Sequence, residues 1–504
     1  MRRGLRGGPF RLIGRLGKAR EGTFFQRVAH AGAWAFMMRL SIRGSQLIRT
    51  VILARLLAPD DFGLMAMATI TILLVESLSR TGFRNALVQF DRDIDDYLDT
   101  AWTVEVSRGV ILGGLILAGA PLIGSFFGSV EVVPIVRVVA ISVVITGFTN
   151  MALVKLDRDL AFNRVYRFEV TQRVTEVVVG IAAALVLRSV WALVWGLLAG
   201  SVARVIASYV LIPRRMVFEF DRARAGEMYR YGKWIYRTNL LGMLSSELDD
   251  ILVGRLLGEG PLGLYRMAYT LSQSLVTEIG QTTNQVVFSA FARLKEAGSG
   301  LAGALVRSSH LVAFLVFPMA VGFVVAGREI TLVLLGEQWL EMVPSFQVLA
   351  VAGAVHAVTA VVRIMFESSG VPQLATRYSL IRLAVLALLI YPAIQAWGLL
   401  GAAVTVLASS AVSDSLVVRA SRRFGAGFRV LASALAWPFF NSLLMGAVLL
   451  VVENAIGGVT PILGVLLAVG SGALTYLGSA WLASRFLSYQ EPKAFLRRLK
   501  GGDA

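Results

Sequence analysis

The chain contains no cysteine, which excludes disulfides, thiolate nucleophiles and cysteine-based metal sites. Histidine is almost as scarce. His30, His310 and His356 are scattered along the chain, which argues against a metal cluster. No GxxxxGK[ST] string occurs, so no phosphate-cradling loop makes ATP the direct energy source. Charged residues are only 16% of the total, against about 25% in a soluble domain. What is present is apolar: 56% of 504 residues, with mean hydropathy +0.70. At about 20 mostly apolar residues per crossing, that is material for about fourteen transmembrane helices.

Apolar runs place those spans near 31–54, 62–83, 100–127, 131–154, 166–187, 190–212, 233–257, 262–288, 306–335, 344–367, 376–396, 399–419, 431–452 and 460–485. Strand-like alternation never dominates, and helices satisfy every backbone N–H and C=O internally in lipid. The expected class is therefore an all-α membrane protein. Connections such as LLAPDD, LGEGP and AWG are only a few residues long, which implies antiparallel neighbours.

Most of the 49 lysines and arginines fall in alternate loops, namely 1–30, 84–99, 154–168, 213–233, 289–307, 369–382, 419–430 and 485–504. The other loops carry Asp60, Asp61, Glu131, Glu259, Glu337, Glu341 and Glu453. The positive-inside rule then predicts two cytoplasmic termini. Residues 1–30 read as a basic arm on anionic lipid rather than a cleavable signal peptide. The net charge of +17 follows from this topology, so no nucleic-acid partner is invoked.

One phrase is written twice. RLLAPDDFGLMAMA at 55–68 returns as RLLGEGPLGLYRMA at 255–268, and seven of the seventeen positions from Ile52 to Ala68 are identical at a spacing of 200. Six spans, an even number, separate the copies. The expectation is a parallel repeat of two six-helix lobes related about the membrane normal, with a site between them. The domains read as a basic arm 1–30, an N-lobe 31–212, a cytoplasmic linker 213–232, a C-lobe 233–420, two appended helices within 431–486 and a cytoplasmic tail 487–504. The linker's mixture of arginine, aromatic and acidic residues suggests an interfacial helix.

These motifs resemble the polysaccharide transporter family, the Wzx-type flippases. They comprise the doubled Arg-Leu-Leu/Gly-Leu phrase, LDDILVGRLLGEGPLGLYRMA at 248–268, FGLMAMATITILLVESLSRTGFRNALVQ at 62–89 and GEQWLEMVPSFQVLA at 336–350. The likeness covers most of 31–420. It implies a two-lobe V-shaped fold shared with lipid II flippases and drug/cation antiporters. It also implies translocation of polyprenyl-diphosphate-linked oligosaccharides across the bacterial cytoplasmic membrane, with a lipid II flippase or a cation-coupled drug antiporter as the alternative on the same fold. The chain departs from the family pattern at Glu247, where relatives often have Asn, and at Gly370-Val371-Pro372.

Polar stripes nominate the cavity. Arg39, Arg43, Gln46 and Thr50 align on the first span; Thr69, Glu76 and Arg80 on the second; Gln273, Thr277, Gln281 and Asn284 on the eighth; His356, Thr359, Arg363 and Glu367 on the tenth. Arg237 and Asn239 begin the seventh. Arginine forks suit a diphosphate, and amides and hydroxyls suit sugars. Glu76–Arg80 and Arg363–Glu367 also have the spacing of internal ion pairs. Glu76, Glu247 and Asp249 are candidates for coupling to a proton or sodium gradient, with no other cofactor. Arg55, Arg204 and Arg266, near span ends, read as snorkelling anchors. The strings Asp91-Arg92-Asp93 and Asp157-Arg158-Asp159 sit in short loops, without room for a nucleotide-sugar domain, so a transferase is not expected. Expected partners are the lipid-linked substrate, membrane lipids, and the glycosyltransferases and polymerase of such a pathway.

Overall fold

The computed structural model describes residues 46–79, 81–91, 93–159, 161–273, 300–425, 427–455 and 461–486, with Gly44 and Phe291. Among these residues every regular element is helical. In chain order they are α1 (46–56), α2 (Pro59–Ser79), α3 (Phe83–Gln89), α4 (Asp95–Phe127), α5 (Val132–Gly147), α6 (Val154–Arg158), α7 (Phe162–Leu187), α8 (Trp191–Leu211) and α9 (Arg222–Leu257). There follow α10 (259–273), α11 (Leu301–Val325), α12 (Gly327–Leu334), α13 (Val343–Ser368), α14 (Pro372–Ala420), α15 (Phe428–Ala455) and α16 (Pro461–Phe486).

Nine described stretches are long and apolar enough to cross a membrane, ten when Val132–Gly147 and Met151–Arg158, bent by 64°, count as one. The chain is a multi-pass membrane protein. The first and eighth expected spans run beyond the described residues. The 49-residue α14 holds two spans. Gly398 breaks it with φ 56° and ψ −130°, a conformation open to glycine. The chain folds back so tightly there that a Cβ on Gly401 would lie 2.0 Å from the Ala393 carbonyl oxygen.

Alternate loops gather on opposite faces. On one, the turn face, the Asp61 carboxylate accepts from Val190 N–H at 2.7 Å, and Arg55 reaches the end of α12. On the other, the linker face, Arg84 pairs with Asp157 at 2.8 Å and Lys155 with Asp95 at 2.5 Å. The largest apolar cluster draws on both halves of the chain, with Met67, Ile70, Tyr265, Trp339 and Phe346 all at 0% exposure. The last two helices attach to the C-terminal half. Tyr476 on α16 donates to the Phe314 carbonyl at 2.8 Å, and Asn441 on α15 donates to the Tyr476 carbonyl at 3.1 Å.

The linker differs from the expected interfacial helix. Residues 213–221 are extended, and helix begins at Arg222 and runs unbroken into the seventh span. Pro213 cannot donate to a helical ladder. The backbone N–H groups of Val217, Glu219 and Asp221 donate instead to Asp99, Thr103 and Thr100 on α4. Asp221 then caps α9. The backbone N–H groups of Arg224 and Ala223 hold its carboxyl below the usual range. Asn150, 1% exposed, pins the start of this strap. Its amide donates to the carbonyls of Ile212 at 3.0 Å and Arg214 at 3.1 Å, and its Oδ1 accepts from Ala152 N–H. Asn150→Ala leaves those groups without partners at roughly 1–3 kcal/mol per buried group. The expected result is a lower thermal unfolding midpoint in detergent, with Asn150→Asp losing at least as much because a carboxylate oxygen cannot donate to the two carbonyls it would face.

Candidate functional site

The two halves close on one another where the repeated phrase recurs. Pro59 and Glu259 open α2 and α10, and each first turn lies against the glycine of the other. A Cβ on Gly63 would sit 1.8 Å from the Glu259 carbonyl oxygen, and one on Gly263 would sit 1.9 Å from that of Pro59. Only glycine permits this approach.

Helix ends around the crossing are capped by the opposite half. Arg55 donates to the carbonyls of Leu332 at 2.9 Å, Leu334 at 3.1 Å and Val333. These are orphan acceptors at the end of α12, where a cation also suits the helix dipole. In return Gln338 donates to the carbonyls of Ala54 at 2.7 Å and Leu57 at 3.0 Å, and the Trp339 indole donates to Ala54 at 2.9 Å. Trp339 is fully buried with its ring edge-on to Phe62 at 5.2 Å. The repeat's second arginine, Arg255, lies over the Phe126 ring at 5.7 Å, at the end of α4. Arg55 sits beside Gly336 and Arg255 beside Gly128, so each copy of the phrase reaches the corresponding turn of the other half.

Beneath this seal lies an inter-half cavity of about 220 Å³. Arg49, Thr50, Phe62, Met65 and Thr69 line it from the first half, and Gly263, Arg266, Met267 and Thr270 from the second. Each half contributes one arginine, tethered to its own acids. Arg49 pairs with Glu176 on α7 at 2.5 Å. Arg266 is held more loosely, by Asp250 at 3.4 Å and Glu247 at 3.7 Å. Behind Arg266, Tyr265 donates to the buried Asp249 at 2.8 Å. Two guanidinium groups and threonine hydroxyls in one lining suit an anion such as a phosphate ester.

A second cavity, about 410 Å³, opens in the first half toward the linker face. Glu76, Arg84, Asn85, Glu105, Arg108, Asn150 and Arg204 are among its lining residues. Arg204 stacks over Phe168 at 4.7 Å and donates to Gln172 at 2.6 Å.

The stripes chosen from the sequence divide between these places. Thr50 and Thr69 line the inter-half cavity, and Glu76 lines the linker-face cavity. Gln46 is half-buried on α1. The Gln273 amide packs against Gly353 on α13. Arg363 donates to Asp414 at 3.1 Å and lies against His356 at 3.1 Å, inside the C-terminal half. Its partner is therefore Asp414 rather than Glu367, which is exposed. Thr359 bonds back to its own helix. Arg39, Arg43, Arg80, Thr277, Gln281 and Asn284 lie outside the described residues, as do the side chains of Arg237 and Asn239.

Three arginines read as snorkelling anchors have other roles: Arg55 caps α12, Arg204 lines the linker-face cavity and Arg266 lines the inter-half cavity. Position near a span end was the misleading signal, because it says nothing of which neighbour waits there. For Arg266 the hint was available in sequence: three acids, Glu247, Asp249 and Asp250, precede it on the adjoining span.

The chain matches the model of the family described as "Polysaccharide biosynthesis protein" over residues 52–344. It is 24% identical over 330 residues to the teichuronic acid biosynthesis protein TuaB of Bacillus subtilis, covering 65% of this chain and 68% of that one. It is 22% identical over 339 residues to the lipopolysaccharide biosynthesis protein WzxC of Escherichia coli, covering 66% and 68%. Among solved structures, the lipid II flippase MurJ in an inward closed conformation superposes with TM-score 0.75 at 13% identity, covering 90% of this chain and 99% of that one. An inward-facing MATE-family multidrug transporter superposes with TM-score 0.59 at 15% identity, covering 80% and 99%. At these identities the structural likeness speaks for the fold alone.

Proposed function

Because the chain belongs to the polysaccharide biosynthesis protein family, we propose that it flips a polyprenyl-diphosphate-linked oligosaccharide across the bacterial cytoplasmic membrane by alternating access. The cargo is a repeat unit of O-antigen, capsule or exopolysaccharide. The observation that carries this is the pair Arg49 and Arg266, one from each half, at the apex of a cavity sealed on the turn face. A ligand shifts a conformational equilibrium only through contacts that differ between states. A diphosphate bridging Arg49 and Arg266 makes such contacts, because separation of the halves separates the two arginines. A cation-coupled drug antiporter on the same fold would be served by acids here rather than by two guanidinium groups.

In this scheme the linker face is cytoplasmic, both termini are cytoplasmic, and the sealed turn face is periplasmic. Arg39, Arg43 and Arg237 are further candidates for contact with the diphosphate, nominated by the sequence alone. Glu76, Glu247 and Asp249 are the candidates for coupling to a proton or sodium gradient. Glycosyltransferases supply the cargo and a polymerase consumes it.

The test is translocation in proteoliposomes, read as the appearance of a radiolabelled lipid-linked oligosaccharide at an enzyme confined to the opposite side. Protein-dependent appearance is expected, and its absence with several glycans would overturn the proposal. Topology gives an independent check. Reporter fusions after Arg222 and at the C-terminus are expected to be active as cytoplasmic reporters, and fusions near Glu259 and Glu337 as periplasmic ones. Residues 222 and 259 on one side would break both the orientation and the parallel repeat.

A further inference from the structure

A groove of about 380 Å³ runs along the lipid-facing side of α4. Val104, Ile111, Leu112 and Phe220 make its apolar walls. Ile111 is 60% exposed and Phe220 63% exposed, so the groove opens outward to lipid. Its far wall is polar. Arg108 and Thr81 line this groove and also line the 410 Å³ linker-face cavity behind it. The two spaces, one apolar and open to lipid, one polar, thus share a wall built around a single guanidinium group.

The depth of that wall matters. From Arg108 to the end of α4 at Phe127 is about 30 Å at 1.5 Å per residue, the thickness of the hydrocarbon core. Arg108 therefore stands at the level of lipid head groups on the linker face. Trp102 and Phe218, ring centroids 4.7 Å apart, stand beyond it, where interfacial aromatics belong. Arg108 is fixed in place by its pair with Glu105 and keeps donors to spare. Nε donates to Glu105 at 2.8 Å, Nη2 lies 2.7 Å from the same carboxylate, and Nη1 donates to Ser79 at 3.2 Å. A guanidinium carries five donors, so two N–H groups stay uncommitted among the described residues. Glu105 is in turn held by the Thr81 hydroxyl at 2.7 Å.

We propose that the groove and the linker-face cavity together form a lateral loading site in the first half: a prenyl chain lies along Ile111 and Leu112, its diphosphate meets Arg108 below Phe220, and the attached sugars occupy the polar cavity. This deepens the flippase proposal and rests on it. The occupant is the substrate lipid rather than a bulk phospholipid because the space behind the head-group position is large and polar. At about 410 Å³ it falls in the range of ligand pockets, and Asn85, Asn150 and Thr146 are on its walls. A glycan fills such a space, whereas a phospholipid head group leaves most of it empty.

A photoreactive amino acid placed at Ile111 or Phe220 tests this, with Leu122, 75% exposed on the same helix, as the lipid-facing control and Met267 as the probe of the inter-half cavity. The probe is radiolabelled undecaprenyl diphosphate carrying one hexose, in vesicles of phosphatidylethanolamine and phosphatidylglycerol. Labelling at Ile111 and Phe220 is expected to exceed that at Leu122 by about ten-fold. Arg108→Ala is expected to reduce it several-fold, and Arg108→Lys to retain part, because lysine keeps the charge and loses the fork. Ile111→Trp fills the groove without touching the Arg108–Glu105 pair, and is expected to slow translocation while the protein stays folded. Labelling at Met267 without labelling at Ile111 would overturn the loading route and leave the flippase proposal standing. Labelling at neither would overturn both. Equal labelling of Ile111 by radiolabelled phosphatidylglycerol would make the groove a phospholipid seat and overturn the proposal.

Discussion

Gly263→Leu is expected to hold the turn face open and to abolish translocation. The reason is distance. The new Cβ would lie 1.9 Å from the Pro59 carbonyl oxygen and 3.0 Å from Gly63 N, and both are backbone atoms that cannot swing aside. The α2 and α10 starts must separate, and the caps across the halves separate with them. Overpacking alone costs about 1–3 kcal/mol. At about 1.4 kcal/mol per tenfold, the upper end shifts the closed-to-open ratio by about 100-fold. The open state loses nothing, so the change acts on the equilibrium rather than on folding. The chain has no cysteine, so a single one at Met65 in the cavity wall reports closure. An impermeant maleimide added on the turn side is expected to modify it slowly in the parent and rapidly with Gly263→Leu or Gly63→Leu. Gly114→Leu is the control, since a Cβ at Gly114 meets nothing within 4 Å. Equal modification rates in all of these variants would sink the idea that the paired glycines seal the turn face.

Arg266→Ala is the second large effect. It removes the second half's arginine from the inter-half cavity and leaves Glu247 and Asp250 without their cation. Truncating one partner of a buried charged contact costs at least about 2 kcal/mol, so translocation is expected to fall at least about 30-fold. Arg266→Lys is expected to recover part of it. Loss of folding is separated from loss of the anion contact by the triple variant Arg266→Ala, Glu247→Gln, Asp250→Asn. Neutral amides relieve the stranded charge, so membrane abundance is expected to return while translocation does not. Full activity in the triple variant would remove Arg266 from the ligand contact and leave it as the counter-ion of two acids.

The sequence by itself determined the solvent, the secondary structure and much of the punctuation. Hydropathy decided for lipid, and in lipid the backbone decided for helices. Runs of apolar residues broken at Pro59, Gly258 and Gly398 marked where helices begin and end, because those breaks are local and depend on neighbours within a turn. The doubled phrase pointed to two like halves with a site between them; that its glycines meet where α2 and α10 cross came from the structure. What only the tertiary structure decided is which side chains meet. Arg55 finds carbonyls 277–279 residues away, Arg49 finds Glu176 at a separation of 127, and Arg363 passes over Glu367 for Asp414. Helical periodicity tells which residues share a stripe, but not how one helix is rotated or shifted against the next. Those offsets come from packing of whole faces. The expected cavity residues that are described were therefore divided among two cavities, the interior of the C-terminal half and its surface, and of the arginines taken as anchors Arg55 joins the two halves.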